Sequence, residues 1–267
     1  MQRTYRERKH YCGDYLEVEI FPVYTKAKGR GKRKKPTSEI QQRLNQRHAE
    51  GKLRRLLHTN FTEDDLFVTL TFDDDHLPES VEDAQRLLQN FLRRLKRRYA
   101  KMGVELKYVY ILEKGEKHGR LHAHMVVSGG LSQEDLAALW NMGEVSAAYL
   151  QFDQNGLAAL AKYFTKGDAQ NSGKSITWKR WVASRNLDKP EVVERDGRLP
   201  HRKMAGLCED GGDTDYLETQ YNGYEIAPYS VQTSEDIYGG YYLAVVLKKM
   251  TARDNPWLSD GGGLPFG

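Results

Sequence analysis

The apolar residues in the middle of the chain change between the two-residue spacing of a strand and the 3.6-residue spacing of a helix. Residues 65–72, DLFVTLTF, alternate as a half-buried strand does. Residues 81–99 repeat apolar side chains at helical spacing, with Ser80 placed to cap the start and Gly103 to end the helix. This stretch therefore predicts a strand followed by a long amphipathic helix.

The next part of the chain repeats this alternation. Residues 106–113 and 121–128 predict two strands, Ser132 can cap a short helix, and residues 145–152 predict a fourth strand. A final helix is predicted over residues 157–166. The order β-α-β-β-α-β predicts an α+β fold, a ferredoxin-like antiparallel sheet with helices on one face, plus N- and C-terminal extensions.

Flanking this core, two extensions complete a predicted division into three parts. Residues 1–60 are expected to form a basic N-terminal arm and helix, residues 61–170 the core, and residues 171–267 a C-terminal extension. The alternating run at 15–23 predicts a strand, and the apolar run at 241–247 predicts a buried strand or helix.

Composition excludes some classes of protein. The chain has 267 residues, 39% hydrophobic and 29% charged, as in a folded soluble protein. No apolar run approaches the roughly 20 residues of a membrane span, and the polar start has no signal core, so a cytoplasmic location is expected. Residues 167–175, GDAQNSGKS, have one residue too many for a phosphate-binding loop, so no ATPase module is predicted.

Positive charge is concentrated near the N-terminus. Residues 1–60 contain 16 Lys and Arg against 6 Asp and Glu, whereas the whole chain has a net charge of +4. This distribution suggests a polyanion partner, although a solvated basic arm is an equally simple interpretation. Further on, Trp178 and Trp181 flank two cations, a pattern that suits stacking on unpaired bases or, as an alternative, packing over the core.

Two histidines in the third predicted strand are the first candidate for chemistry. His122 and His124 are two residues apart, so their imidazoles project from the same face of a strand. A turn containing Gly115 and Gly119 would return Glu113 to their side. One carboxylate and two imidazoles are a suitable set for a divalent ion, although paired surface histidines without a metal are also common.

A tyrosine and a lysine on the last core helix are the second candidate. Tyr163 and Lys166 are three residues apart and therefore share a helix face, at the rim of the apolar stripe. An amphipathic tyrosine with a solvated hydroxyl is the alternative interpretation.

Three short motifs together resemble those of HUH-type rolling-circle replication initiators. They are VTLTF at 68–72, HGRLHAHMVV at 118–127 and KYFTK at 162–166, and Glu113 matches the acidic ligand of many members. The segment WKRWVASRNLDKP at 178–190 is also similar to the sequence after the catalytic helix of phage and plasmid replication proteins. No second tyrosine lies one turn from Tyr163, which resembles the single-tyrosine class.

The resemblance implies a metal-dependent endonuclease that nicks and joins single-stranded DNA at a replication origin. Tyr163 would be the nucleophile that forms a 5′-phosphotyrosine, Lys166 would stabilise charge, and a host polymerase or helicase would act on the nicked strand. Mn²⁺ or Mg²⁺ would be the cofactor. The metal ligands would be Glu113, His122 and His124. The residues expected to contact DNA are Lys32, Arg33, Lys34, Lys35, Arg120, Lys162, Trp178, Lys179 and Arg180.

Two alternatives remain open at this point. The same motifs fit a transposase or relaxase of that superfamily, because coarse spacing does not separate these enzymes. A ferredoxin-like sheet can also bind nucleic acid without catalysis, although such sheets usually present aromatic side chains where this sequence has histidines and threonines.

Overall fold

The computed structural model describes residues 4–24, 39–115, 119–166, 181–209, 211–235 and 239–250, with only the backbone described for 39–44. The elements in chain order are β1 (Thr4–Cys12), β2 (Tyr15–Val23), α1 (Glu39–Asn60), β3 (Leu66–Thr71), α2 (Val81–Lys101), β4 (Tyr108–Lys114), β5 (Leu121–Val127), α3 (Gln133–Trp140), β6 (Val145–Tyr149), α4 (Ala158–Thr165), β7 (Val182–Ala183), β8 (Glu191–Asp196), α5 (His201–Glu209), α6 (Thr214–Gln220), β9 (Tyr224–Ile226), β10 (Gln232–Glu235) and β11 (Tyr241–Lys249).

The chain divides into two compact units. One is the continuous segment Pro36–Lys189, and the other combines Met1–Lys35 with Pro190–Gly267. We call them the central unit and the terminal unit. Their limits differ from the three-part division predicted from the sequence, because strands from both ends of the chain pair in one sheet.

The central unit contains the predicted ferredoxin-like sheet. Its strands follow the order β6-β3-β5-β4-β7, and all the neighbouring strands are antiparallel. The helix signals also operate as predicted: the Ser80 hydroxyl accepts a hydrogen bond from the Asp83 backbone N–H at the start of α2. Gly103, with φ of +71°, follows the end of that helix in the left-handed conformation that favours glycine.

One face of this sheet packs against α2 and α3. Leu70, Ala123 and Met125 from the strands cluster with Phe91 of α2 and Trp140 of α3. Each of these five side chains is at most 1% exposed. This layer is the larger core of the central unit, and it corresponds to the helical face predicted from the sequence.

The opposite face is also partly covered by helices. Val109 and Val126 cluster with Leu57 of α1 and Phe164 of α4. The α+β class and the ferredoxin-like order are therefore confirmed, but helices lie on both faces rather than on one. The physical reason is that α1 and α4 each carry an apolar stripe that must be buried against a sheet.

The terminal unit is a second antiparallel sheet, in the order β10-β11-β2-β1-β8, with β9 paired to β11. Helices α5 and α6 contribute Met204 and Leu217 to its core beside Val18 and Val245. The strand predicted at 15–23 is confirmed as β2, and the run at 241–247 lies in strand β11.

Strand β1 was not predicted, because its buried side carries charge. Glu7 is 3% exposed, and it accepts hydrogen bonds from Arg198 and from the Tyr221 hydroxyl, the latter at 2.6 Å. A paired carboxylate can be buried in this way, but it hides the apolar alternation on which sequence prediction depends. No helix within the described ranges is long and apolar enough to cross a membrane.

Candidate metal and tyrosine site

The pairing of β4 with β5 brings three potential metal ligands together. Glu113 lies directly opposite His122 in the antiparallel register, and Ile111 lies opposite His124. Since side chains two residues apart share a face, Glu113 and both imidazoles project from the same side of the sheet. This is the face that α1 and α4 cover only in part.

The ligand atoms of these three side chains form a compact group. One atom from each of Glu113, His122 and His124 lies within 4.8 Å of the others. Glu113 Oε2 is 3.8 Å from His122 Nε2 and 3.5 Å from His124 Nε2, and the two imidazole rings are nearly perpendicular. In the described part of the chain, no other group of three His, Cys, Asp or Glu side chains meets this spacing.

His124 is held from two sides. Its Nδ1 lies 3.0 Å from Thr69 Oγ1 on the neighbouring strand β3, and its ring stacks on Phe67 at 5.7 Å between centroids. Burial, with a further contribution from the neighbouring His122, lowers the pKa of His124 to about 4. The imidazole is therefore neutral near pH 7, which is the form that binds metal ions.

The donor set passes a physical test for a divalent cation. His124 Nε2 is buried and has no hydrogen-bond partner, although it faces a carboxylate oxygen. An unsatisfied buried nitrogen costs free energy unless it binds a ligand. Two nitrogens and one oxygen suit Mn²⁺, and Mg²⁺ accepts the carboxylate readily but the imidazoles less well.

Helix α4 places Tyr163 at the edge of this group. The Tyr163 hydroxyl donates a hydrogen bond of 2.8 Å to Glu113 Oε2, and its ring lies 5.3 Å from that of His124. Burial raises the pKa of the Tyr163 phenol above its ordinary value, and the hydrogen bond and negative charge of Glu113 raise it further. Tyr163 is nevertheless 37% exposed, so that a substrate can reach it.

Helix α1 holds both ends of α4. The buried ring of His58 accepts a hydrogen bond of 2.9 Å from the Leu157 backbone N–H, at the N-terminal end of α4. At the other end, the Gln46 side-chain amide donates to the backbone and hydroxyl oxygens of Thr165. The sequence analysis did not assign a role to either residue; the apolar spacing of α1 indicated a packed helix but not its partner.

The lysines and arginine predicted near this site have different environments. Lys162 and Lys166 are exposed on α4, and among the described residues their ammonium groups form no hydrogen bond or ion pair. Lys166 adjoins the last turn of the helix, and its backbone N–H bonds to the Tyr163 carbonyl. Arg120 forms an ion pair with the exposed carboxylate of Asp74. The remaining predicted DNA contacts lie outside the described residues: Lys32, Arg33, Lys34, Lys35, Trp178, Lys179 and Arg180.

Together, the fold and the site define an α+β domain in which a tyrosine hydroxyl lies beside a candidate divalent-metal site. Comparison with known proteins gives this class a more specific relation. Residues 65–168 match the model of the replication-associated protein ORF2 family, and this segment contains Glu113, His122, His124 and Tyr163.

A curated relative gives the same relation. The chain is 30% identical over 96 residues to the replication-associated protein ORF4 of Chlamydia phage 1. The aligned region is 35% of this chain and spans only 24% of that protein. No solved structure matches the chain at a significant level. The comparisons thus support a relation to replication-associated proteins through the central unit.

Proposed function

We propose that this protein initiates rolling-circle replication by nicking and joining single-stranded DNA at an origin, with Tyr163 as the nucleophile. The observation that carries the proposal is the hydrogen bond of 2.8 Å from the Tyr163 hydroxyl to Glu113, within a group that also contains His122 and His124. A phenol, a carboxylate and two imidazoles on three separate elements have no evident structural reason to meet at a half-open surface.

In this proposal, Glu113, His122 and His124 hold Mn²⁺ or Mg²⁺. When bound, the divalent ion polarises a non-bridging phosphate oxygen and offsets the charge that develops during cleavage. Thr69 keeps the His124 ring in place through Nδ1, so that Nε2 points towards Glu113. These residues therefore prepare the donor set before DNA enters.

The reaction is a transesterification at a phosphodiester. Tyr163 Oη attacks phosphorus, a new P–Oη bond forms, and the bond from phosphorus to the 3′ oxygen breaks. The phenol proton, which the structure directs towards Glu113 Oε2, is lost, and the departing oxygen takes up a proton to become a free 3′-OH. No bond energy is lost to water, so the reverse reaction joins the strand without ATP.

The raised pKa of Tyr163 has a consequence for this step. Because the nearby carboxylate favours the neutral phenol, activation requires positive charge close to the oxygen. Lys166 lies three residues further along α4 and is exposed, so we assign it the role of stabilising the phosphate or the phenolate. The free 3′-OH can prime a host polymerase, with a helicase opening the duplex ahead of it; the expected setting is the cytoplasm.

The comparisons favour replication over the other uses of this chemistry. A transposase or relaxase would use the same residues, but the family model and the phage protein are both described as replication-associated. A non-catalytic nucleic-acid binder would not need Tyr163 to be directed towards a candidate metal ligand.

A denaturing gel tests the proposal directly. A single-stranded DNA library labelled at the 3′ end is incubated with the protein and Mn²⁺, because the tyrosine retains the fragment downstream of the cut. The wild-type protein should give a labelled band at the size of the protein, and EDTA should remove it.

Tyr163→Phe is the matched variant for this experiment. It should lose the labelled band while its Mn²⁺ affinity stays within about twofold, since the phenol is not a ligand in the proposal. A labelled band of undiminished intensity with Tyr163→Phe would overturn the assignment of the nucleophile.

A further inference from the structure

A row of cations lies on the outer side of α2, on the face of the central sheet opposite the candidate metal site. Arg93, Lys96, Arg97 and Lys101 are all exposed, and we call these four residues the α2 basic stripe. The helix turns its other side, with Phe91 among its core residues, towards the sheet. The stripe is therefore directed away from the core.

The charge of the stripe is not balanced by acidic neighbours. Between residues 84 and 104 the sequence has seven Lys and Arg residues and no Asp or Glu. Within the described ranges, the charged groups of Lys96, Arg97 and Lys101 form no hydrogen bond or ion pair, and Arg93 contacts only the Asn90 amide oxygen. The other three arginines of α2 are engaged in structural contacts. Arg86 pairs with Asp83, Arg98 pairs with Asp135, and Arg94 donates to the carbonyls of Leu139 and Trp140.

We propose that the α2 basic stripe binds the phosphate backbone of duplex DNA. From Arg93 to Lys101 the stripe is about 12 Å long at the helical rise per residue. A duplex presents one negative charge per roughly 1.7 Å of its axis, about twice the density of one strand, and therefore matches a dense row of cations better.

The lack of an aromatic platform on α2 also favours a duplex over a single strand. The aromatic side chains of this helix, Phe91 and Tyr99, are fully buried, so that no base can stack beside the stripe. Binding of single strands usually combines cations with exposed aromatic rings, whereas contacts to a duplex backbone need only the cations. The stripe thus provides affinity without sequence readout.

This inference rests on the proposed function, because it assumes that the chain acts on DNA. The candidate metal site would engage the single-stranded target, while the α2 basic stripe would hold double-stranded DNA that flanks it. The two surfaces lie on opposite faces of one sheet, so they can be altered independently.

The test is the salt dependence of binding to a duplex of about 25 base pairs without an origin sequence. The variant Arg93→Gln/Arg97→Gln/Lys101→Gln removes three charges from exposed positions of α2 and keeps side chains that favour a helix. It should bind the duplex about 10–100-fold more weakly, and the slope of log affinity against log salt should become shallower by about 2–3.

A matched control removes the same charge elsewhere. Arg195→Gln/Arg202→Gln/Lys249→Gln replaces three exposed cations of the terminal unit and should leave the slope within about 1 of the wild-type value. Equal losses in both variants would show that only net charge matters, and an unchanged slope in the α2 variant would also overturn the proposal. Thermal melting checks that each variant is folded.

Two further measurements separate this inference from the proposed function. Binding of an oligothymidine of equal length should weaken less than duplex binding in the α2 variant; an equal or greater loss would contradict a duplex-specific surface. Adduct formation on a short single strand should be unchanged in that variant. If the wild-type protein forms no adduct, the nicking proposal fails, but the duplex measurement still decides the role of the stripe.

Discussion

At the scale of single residues, the candidate site depends on how His124 is oriented. If Nε2 is to bind a metal ion, Nδ1 must carry the proton and donate it to Thr69 Oγ1, 3.0 Å away. Phe67 stacks on the same ring and limits its rotation. Thr69 therefore has a role that the sequence did not assign, beyond its place in an alternating strand.

Replacing Thr69 tests this positioning role. Thr69→Val keeps the shape of the side chain but removes the hydrogen-bond acceptor, so Mn²⁺ affinity should fall about 10–100-fold. Thr69→Ser retains the hydroxyl and should stay close to the wild-type value. Titration of Mn²⁺ by electron paramagnetic resonance measures both affinities, and equal affinities for the two variants would contradict the role.

His124 also gives the metal-free protein a specific dependence on pH. Its pKa is about 4 in the folded chain and near 6.5 when unfolded, so the unfolded state binds the proton first as pH falls. The contribution to stability is complete above pH 6.5 and is lost between about 6.5 and 4. At most about 3 kcal/mol of unfolding free energy is involved.

Urea denaturation in EDTA across this pH range measures that loss. The wild-type protein should lose stability on acidification more steeply than His124→Asn, which has no imidazole to protonate. His48→Asn, at an exposed position of α1, should retain the wild-type slope. The same slope for all three proteins would show that His124 is not held neutral by the fold.

At the scale of elements, α1 determines where α4 and its tyrosine lie. His58 accepts the Leu157 N–H at one end of α4, and Gln46 donates to Thr165 at the other. Because α4 has only eight residues, its position depends on such contacts more than on its own helical stability. Helix α1 is therefore part of the site, although none of its described side chains belongs to the ligand group.

Removing the His58 contact tests this dependence. His58→Ala leaves the Leu157 N–H without its acceptor in a buried place, which should cost about 1–3 kcal/mol of unfolding free energy. It should also slow adduct formation by Tyr163 more than it weakens Mn²⁺ binding. His58→Gln, which can accept through its amide oxygen, should recover part of both losses.

His48→Ala on the same helix is the matched control, since that histidine is exposed. It should change stability by less than about 0.5 kcal/mol. If His58→Ala formed adducts at the wild-type rate, α1 would not position the nucleophile.

The comparison of sequence with structure also belongs to the level of elements. Strands β3, β4 and β5 were predictable because their alternation and the turn between β4 and β5 are local signals, and these signals were sufficient to group Glu113 with the two histidines. The contacts of His58 and Gln46 with α4 were not predictable, because residues more than 95 positions apart meet only through tertiary packing. Strand β1 was missed for a related reason, since Glu7 is buried by partners close to residues 198 and 221.

At the scale of the whole molecule, the candidate site belongs entirely to the central unit. Glu113, His122, His124 and Tyr163 lie within Pro36–Lys189, as do the contacts from Thr69, His58 and Gln46 described above. The terminal unit has a separate core, and its two parts come from opposite ends of the chain. The central unit should therefore contain everything needed for metal binding.

A fragment covering residues 36–189 tests this expectation. It should bind Mn²⁺ with an affinity within about threefold of the full chain, because no ligand or positioning residue is removed. Its affinity for single-stranded DNA should fall and depend less on salt, since the fragment lacks the predicted contacts Lys32, Arg33, Lys34 and Lys35. Circular dichroism establishes whether it is folded, and a folded fragment without Mn²⁺ binding would contradict the placement of the site.

The central claim is that Tyr163 forms a covalent bond with DNA beside the Glu113, His122 and His124 group. Mass spectrometry of the trypsin-digested protein, after reaction with single-stranded DNA and nuclease trimming, identifies the peptide that carries the nucleotide. The account predicts a nucleotide joined through its 5′ phosphate to Tyr163, in samples with Mn²⁺ and not in samples with EDTA. A nucleotide attached to another residue would contradict it.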